Sequence, residues 1–329
     1  MIIAGDIGGT KTNVALFEGD GRRPGVAVAQ QSFPSAKYDS LEEILRQFIA
    51  EHRPSRVTHA CFGVAGPVEA GRVQASNLAW VVSDKSLADF LKIEQVRIIN
   101  DLEATAYGIE NVPAARLYTL NEGEGARDGH RALIAAGTGL GMASIFWDGR
   151  QYHPMASEGG HIDFAPRNER EVELLRYLTK ELGGRVSYER VLSGPGLFNI
   201  YSFLREQKIA EEPAWLTQQI ESGDASAAVS GAALANRSEL AVEALNIFVE
   251  IYGAMAGNLA LVVKPSGGLY VGGGIAPKII EKLKDGAFIR SYTDKGRMSR
   301  VVESIPVRVL LDDKTALYGA ALCALSAKS

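Results

Sequence analysis

The chain has 329 residues, 46% of them hydrophobic, which is enough apolar material for two cores or one large bilobed one. Its 35 basic and 39 acidic residues leave a net charge of -4 with no continuous Lys/Arg stripe, which argues against a nucleic-acid partner. The apolar opening Met1 to Ala4 is halted by Gly5-Asp6 without the flanks of a leader, and no later apolar run approaches about 18 residues, so a cytoplasmic protein with no membrane partner is expected.

Along the first hundred residues, short β-rich runs (Ile2 to Gly5, Asn13 to Phe17, Val57 to Phe62, Val96 to Asn100) alternate with helical patterns such as Ser40 to Glu51. This is α/β ordering, and a further helix is predicted over 102–109. A polar, glycine-rich stretch from Asn121 to Gly129 precedes a second block that opens with the buried-strand run Ala132 to Ala136, placing a domain boundary near 111. Between Arg185 and Ala235 the pattern predicts a helical insertion, with Phe198 to Arg205 and Trp215 to Ile220 as helices. A long helix over Ser238 to Lys264 is stopped by Pro265, and the strand Leu269 to Val271 and another glycine cluster follow. Cys61 and Cys323 both lie in apolar surroundings and read as structural thiols. There is also an internal echo: Gly9-Thr10 and Gly137-Thr138 each lead through an apolar run to an acidic-glycine pair, as if two lobes each began with a phosphate-gripping hairpin.

The stretch Gly5-Asp6-Ile7-Gly8-Gly9-Thr10-Lys11 sits between two strand runs. Glycines there let backbone N–H groups approach phosphate oxygens, while Thr10 and Lys11 add a hydroxyl and a positive charge. The spacing of a Walker loop is absent, and a plain hairpin turn fits the same residues. Gly137-Thr138-Gly139-Leu140-Gly141 repeats the design after the second strand block. Gly272-Gly273-Gly274 joins a strand to a helix whose first turn tolerates Pro277; the side-chain-free backbone suits either a flat slot for a purine ring or a tight βα turn.

Asn100-Asp101 ends an apolar strand, so the carboxylate emerges where open α/β sheets place their ligands. Asp101 reads either as a simple helix N-cap or as the base that a kinase acting on an alcohol needs, and Asn100 beside it can donate to and accept from sugar hydroxyls. The two glycines inside Glu158-Gly159-Gly160-His161 argue against a helix carrying a pair of zinc ligands, so no metal site is assigned. An acid and an imidazole so spaced suit a hydroxyl-rich ligand, and Glu189 offers another acceptor unless it is a solvated surface residue.

Taken in order, Gly5 to Thr10, Asn100-Asp101-Leu102, Gly137 to Gly141, Glu158 to His161, Leu192-Ser-Gly-Pro-Gly196 and Gly272 to Gly274 resemble the bacterial-type glucokinase family from residue 2 to about 322. The resemblance implies an α/β, actin-like (ribonuclease H-like) hexokinase fold of two lobes that close on glucose. The lobes would be a small domain of 1–111 plus 313–329 and a large domain of 112–312. It also implies Asp101 as the general base, Asn100, Glu158, His161 and Glu189 as sugar contacts, and Asn77 on a loop above the sugar. Gly5 to Thr10 and Gly137 to Gly139 would grip the phosphates of ATP carrying Mg²⁺. The related branch with a cysteine-rich zinc motif is disfavoured, since Asp163 to Arg190 contains no cysteine. In the cysteine-free branch, with a helix over Glu169 to Leu182, the resemblance implies a homodimer. The rivals are a kinase for another hexose or amino sugar and a non-catalytic sugar sensor, which would need a DNA-binding module.

Overall fold

The chain opens on an antiparallel hairpin of β1 (Ile2–Ile7) and β2 (Lys11–Gly19). The computed structural model describes residues 1–19, 23–75 and 78–326, so the candidate sugar contact Asn77 lies outside the described residues. β3 (Pro24–Pro34) pairs with β2 at the sheet edge. Helix α1 (Leu41–His52) starts where the Ser40 hydroxyl accepts the Glu43 N–H, and it buries Leu41, Ile44, Leu45 and Phe48. The strands β4 (His59–Val64) and β7 (Gln95–Asn100) run parallel to β1, giving the order β3-β2-β1-β4-β7. Between them lie the small pair β5 (Arg72–Gln74) and β6 (Val81–Ser83) and helix α2 (Asp84–Leu91). Helix α3 (Asp101–Gly108) leaves directly from the end of β7.

The following strands are β8 (Leu117–Asn121), β9 (Arg131–Ala136), β10 (Leu140–Trp147) and β11 (Tyr152–Ser157). Then come α4 (Glu169–Leu182), α5 (Gly194–Glu206), α6 (Ala214–Ser222), α7 (Ala225–Leu234) and α8 (Glu239–Val263). The chain ends with β12 (Gly268–Gly272), α9 (Ile280–Leu283), α10 (Ala287–Thr293), α11 (Ser299–Glu303), β13 (Val307–Leu310) and α12 (Thr315–Leu325). The second sheet is ordered β11-β10-β9-β12-β13-β8. Here β9 is antiparallel to β10 and parallel to β12, the relation that β1 has to β2 and β4, so the echo between the two glycine motifs is one of topology.

The chain divides into two compact units, one of Met1–Ala114, Tyr152–Ala156 and Asp312–Ser329, the other of Ala115–Gln151 and Ser157–Leu311. In the first, the strand period of two splits the apolar residues between faces: Ile3, Val14 and Phe62 pack with Ile44 and Phe48 of α1, whereas Ala4, Phe17 and Cys61 pack with Leu317, Ala321 and Cys323 of α12. Both cysteines are buried and free, within one core cluster. Helices α3 and α12 approach so closely that a Cβ on Gly319 would lie 1.7 Å from the Ala104 carbonyl oxygen, and one on Gly108 2.0 Å from that of Thr315. Only glycine admits this contact, which sets the position of α3 and therefore of Asp101 at its first turn.

Several expectations need correction. Helix α8 has 25 residues and contains an 18-residue window of mean hydropathy 1.5, so the expectation that no apolar run approaches membrane-spanning length fails; two thirds of that window (67%) is buried, and the helix packs in the core of the second unit against α5, α7 and α10. Pro277 does not open a helix: residues 273–279 form a run of turns, and α9 begins at Ile280. The predicted insertion holds three helices, and α5 begins at Gly194, well before Phe198, because Ser193 caps it by accepting the Gly196 N–H at 3.0 Å. The edge strand β3 and helix α7 are not predicted, since their small and polar residues carry little periodic apolar signal.

Candidate active site

In the first unit the candidate residues gather at the carboxyl ends of β1 and β7. The hairpin turn of Gly8, Gly9 and Thr10 is closed by the Gly8 N–H donating to the Lys11 carbonyl at 3.0 Å. Ser35, fully buried, staples this turn from outside: its hydroxyl donates to the Gly8 carbonyl at 2.7 Å and lies 3.0 Å from the Thr12 hydroxyl, and its N–H donates to the Thr10 carbonyl at 3.1 Å. Sequence reasoning missed Ser35, whose one signal was a serine just after the proline that ends a strand-like run. Thr10 and Lys11 are exposed, as donors to an incoming anion need to be.

Asp6, half-buried at the end of β1, accepts a hydrogen bond from the Asn13 amide at 3.4 Å. Burial raises its pKa from 3.8 to about 6; the Asn13 bond opposes the rise and the neighbouring Asp101 charge adds to it. The folded state therefore holds this proton more tightly than the unfolded chain. The stability Asp6 contributes is present below pH about 4 and is lost as the pH rises through about 6. Replacing Asp6 by Asn should accordingly stabilise the ligand-free protein relative to wild type at pH 7.5 and progressively less toward pH 5. Urea midpoints of both proteins across that range check this, and a difference independent of pH would refute it.

At the end of β7 the hydrogen bonds show which residue caps α3. Asn100 is the N-cap of α3: its side-chain oxygen accepts the N–H groups of Leu102 at 2.9 Å and Glu103 at 3.4 Å, and its amide donates to the Gly66 carbonyl at 3.1 Å. Asp101 is the first helical residue, with one carboxylate oxygen accepting the Leu102 N–H at 2.9 Å. Asn100 thus orients the helix start whatever else it touches, and Asp101 is not needed as the cap.

In the second unit the remaining candidates converge on the start of β10. The Gly137-Thr138-Gly139 turn is closed by the Gly137 N–H donating to the Gly139 carbonyl at 2.8 Å, and the Gly137 carbonyl accepts the N–H of Gly194 at the head of α5 at 2.8 Å. Gly272 to Gly274 ends β12, parallel to β9, and the two glycine turns are neighbours: a Cβ on Gly137 would lie 3.9 Å from the Gly274 nitrogen. Tyr252 of α8, fully buried beneath them, accepts the Ala136 N–H at 3.2 Å and lies within reach of the Ile134 and Gly272 carbonyls. No local pattern in a long apolar helix marks such a tyrosine.

Glu158 and His161 flank a single 3-10 turn, with their side chains 3.8 Å apart and both exposed. The turn is seated by Gly160, where a Cβ would be 1.8 Å from the Leu140 carbonyl oxygen, so this glycine serves close backbone approach to the strand that follows the second glycine turn. Glu189, in the 3-10 turn Tyr188–Arg190, is half-buried, and its carboxylate accepts the Leu140 N–H at 3.1 Å.

Two glycine turns on topologically equivalent hairpins, together with a carboxylate at a parallel strand's carboxyl end, define a phosphotransferase of the hexokinase-like α/β class. The family model described as Glucokinase matches residues 3–327. A glucokinase from Synechocystis sp. is 43% identical, over 98% of this chain and 97% of its own, and one from Nostoc punctiforme is 41% identical over 98% of both. Among solved structures, the glucokinase from an Antarctic psychrotroph superposes with a TM-score of 0.82 at 31% identity, covering 98% of each chain. The chain belongs to the Glucokinase family.

Proposed function

We propose that the protein is a glucokinase that transfers the γ-phosphoryl group of ATP, carried with Mg²⁺, to the 6-hydroxyl of D-glucose. The observation that carries the reading is the Asp101 carboxylate, fixed at the head of α3 in the same unit as the first phosphate hairpin while Asn100 takes the capping role. Asp101 takes the proton of the attacking hydroxyl as the new O–P bond forms and ADP leaves. Asn100, Glu158, His161 and Glu189 hold the sugar hydroxyls, and Asn77 is a further sugar contact. The amides of the Gly5 to Lys11 hairpin and of the Gly137 to Gly139 turn hold phosphate oxygens, and Gly272 to Gly274 border the purine.

Magnesium supplies charge neutralisation on the transferring phosphates. The residues fit that role: Lys11 and the turn amides suit phosphate oxygens, and Asp6, at the end of β1 beside the first glycine turn, offers carboxylate oxygens to a divalent cation brought by the nucleotide. The reading extends to a cytoplasmic homodimer in sugar catabolism.

An ADP-release assay over a panel of hexoses and amino sugars tests the proposal. Glucose is expected to give the highest kcat/KM, with turnover lost on chelation of Mg²⁺. Preference for another hexose or an amino sugar would reassign the substrate, and absence of ADP release with every sugar would overturn the reading.

A further inference from the structure

We propose that Glu189 is a positioning residue for the second phosphate turn, holding it in a guarded state until a sugar draws its carboxylate away, so that sugar binding tightens nucleotide binding. The inference rests on the reading of Glu189 as a sugar contact. The Glu189 carboxylate stands directly on the turn: it accepts the Leu140 N–H at 3.1 Å, and the same oxygen is 2.6 Å from where a Cβ on Gly139 would be. Its backbone belongs to the same network, because the Glu189 carbonyl accepts the Ser193 hydroxyl at 2.7 Å and Ser193 caps α5, whose Gly194 N–H holds the Gly137 carbonyl. On its other side, the Tyr188 N–H donates to the Ile162 carbonyl at 2.9 Å, next to His161. One short segment therefore touches both the phosphate turn and the sugar motif.

Two physical conflicts follow. An amide N–H has one proton, so the Leu140 N–H cannot serve the carboxylate and a phosphate oxygen together. A carboxylate at that distance also repels a polyphosphate in a poorly solvated turn. Sugar hydroxyls donating to Glu189 replace the Leu140 N–H as its partner, remove both conflicts at once, and leave the turn amide to the nucleotide. By linkage the nucleotide tightens the sugar by the same factor.

Gly139→Ala is a direct probe. Gly139 is not in the left-handed region, and the nearest atom to the new methyl is the end of the Glu189 side chain, so the carboxylate is the group that must move. The Kd of a non-hydrolysable ATP analogue is measured by calorimetry without glucose and with saturating glucose. In the wild type glucose should tighten the analogue by about fivefold or more, and in Gly139→Ala the ratio should fall to within about twofold of unity. A wild-type ratio near one, or a full ratio kept in the variant, would overturn the inference. Should Gly139→Ala fail to fold or to bind nucleotide, Glu189→Gln gives a second reading: it keeps an acceptor for the Leu140 N–H and removes the charge, so its sugar-free Kd for the analogue should be lower than wild type, and an equal or higher value counts against the proposal. Turnover of glucose in the same wild-type preparation separates the two levels, since loss of turnover sinks the assigned function whereas turnover without coupling sinks only this inference.

Discussion

Asp101→Ala is expected to lower kcat by roughly 10²- to 10⁴-fold, the usual worth of a general base, while the Kd for ATP stays nearly unchanged. The variant is interpretable because the head of α3 does not depend on the lost carboxylate: Asn100 accepts the Leu102 N–H at 2.9 Å and the Glu103 N–H at 3.4 Å. Asp101→Asn, which keeps an acceptor for the Leu102 N–H, should lose turnover to a similar degree. Both variants should also lower the pKa of Asp6, because the Asp101 charge is one of the causes that raise it. Steady-state kinetics with glucose and ATP read the first effect. Normal turnover in either variant would remove Asp101 from the chemistry.

Arg167→Met is expected to destabilise the protein by about 3–5 kcal/mol, the cost of leaving a buried carboxylate without its counter-charge. Glu171, in the first turn of α4 and 3% exposed, accepts the Arg167 N–H at 2.8 Å and its guanidinium at 2.6 and 3.3 Å, and the Asn168 amide at 3.3 Å. Methionine keeps the aliphatic stem and deletes only the charge and the donors. Replacing both residues, as Arg167→Met with Glu171→Met, should recover much of the loss, since the desolvation cost disappears with the pair. Lys295 reports on the same change: burial first and the Arg167 charge second lower its pKa, so the variant should relieve part of that depression. Urea unfolding measures the stability, and a loss under about 1 kcal/mol would show that the Asn168 amide and backbone donor alone satisfy Glu171.

By themselves the residues determined β1 and β9 and the glycine turns that follow them, because a buried apolar run broken by glycines is a signal contained within ten positions. They likewise determined α1, which begins after Ser40, and with the family resemblance came the helix over Glu169–Leu182. The order of six motifs along the chain carried the family. The edge strand β3, helix α7, the true start of α5 and the run of turns at Pro277 were not legible, since each depends on partners outside its own segment or lacks apolar periodicity. Tertiary structure alone decided that Asn100 and not Asp101 caps α3, that Ser35 pins the first glycine turn from 25 residues beyond Thr10, and that Glu189 rests its carboxylate on Leu140. Each of the three depends on a hydrogen bond of about 3 Å between groups far apart in sequence, from the Asn100 amide to the Gly66 carbonyl, from Ser35 to the Gly8 carbonyl and from the Leu140 N–H to Glu189, and such a bond leaves no periodicity or composition to read.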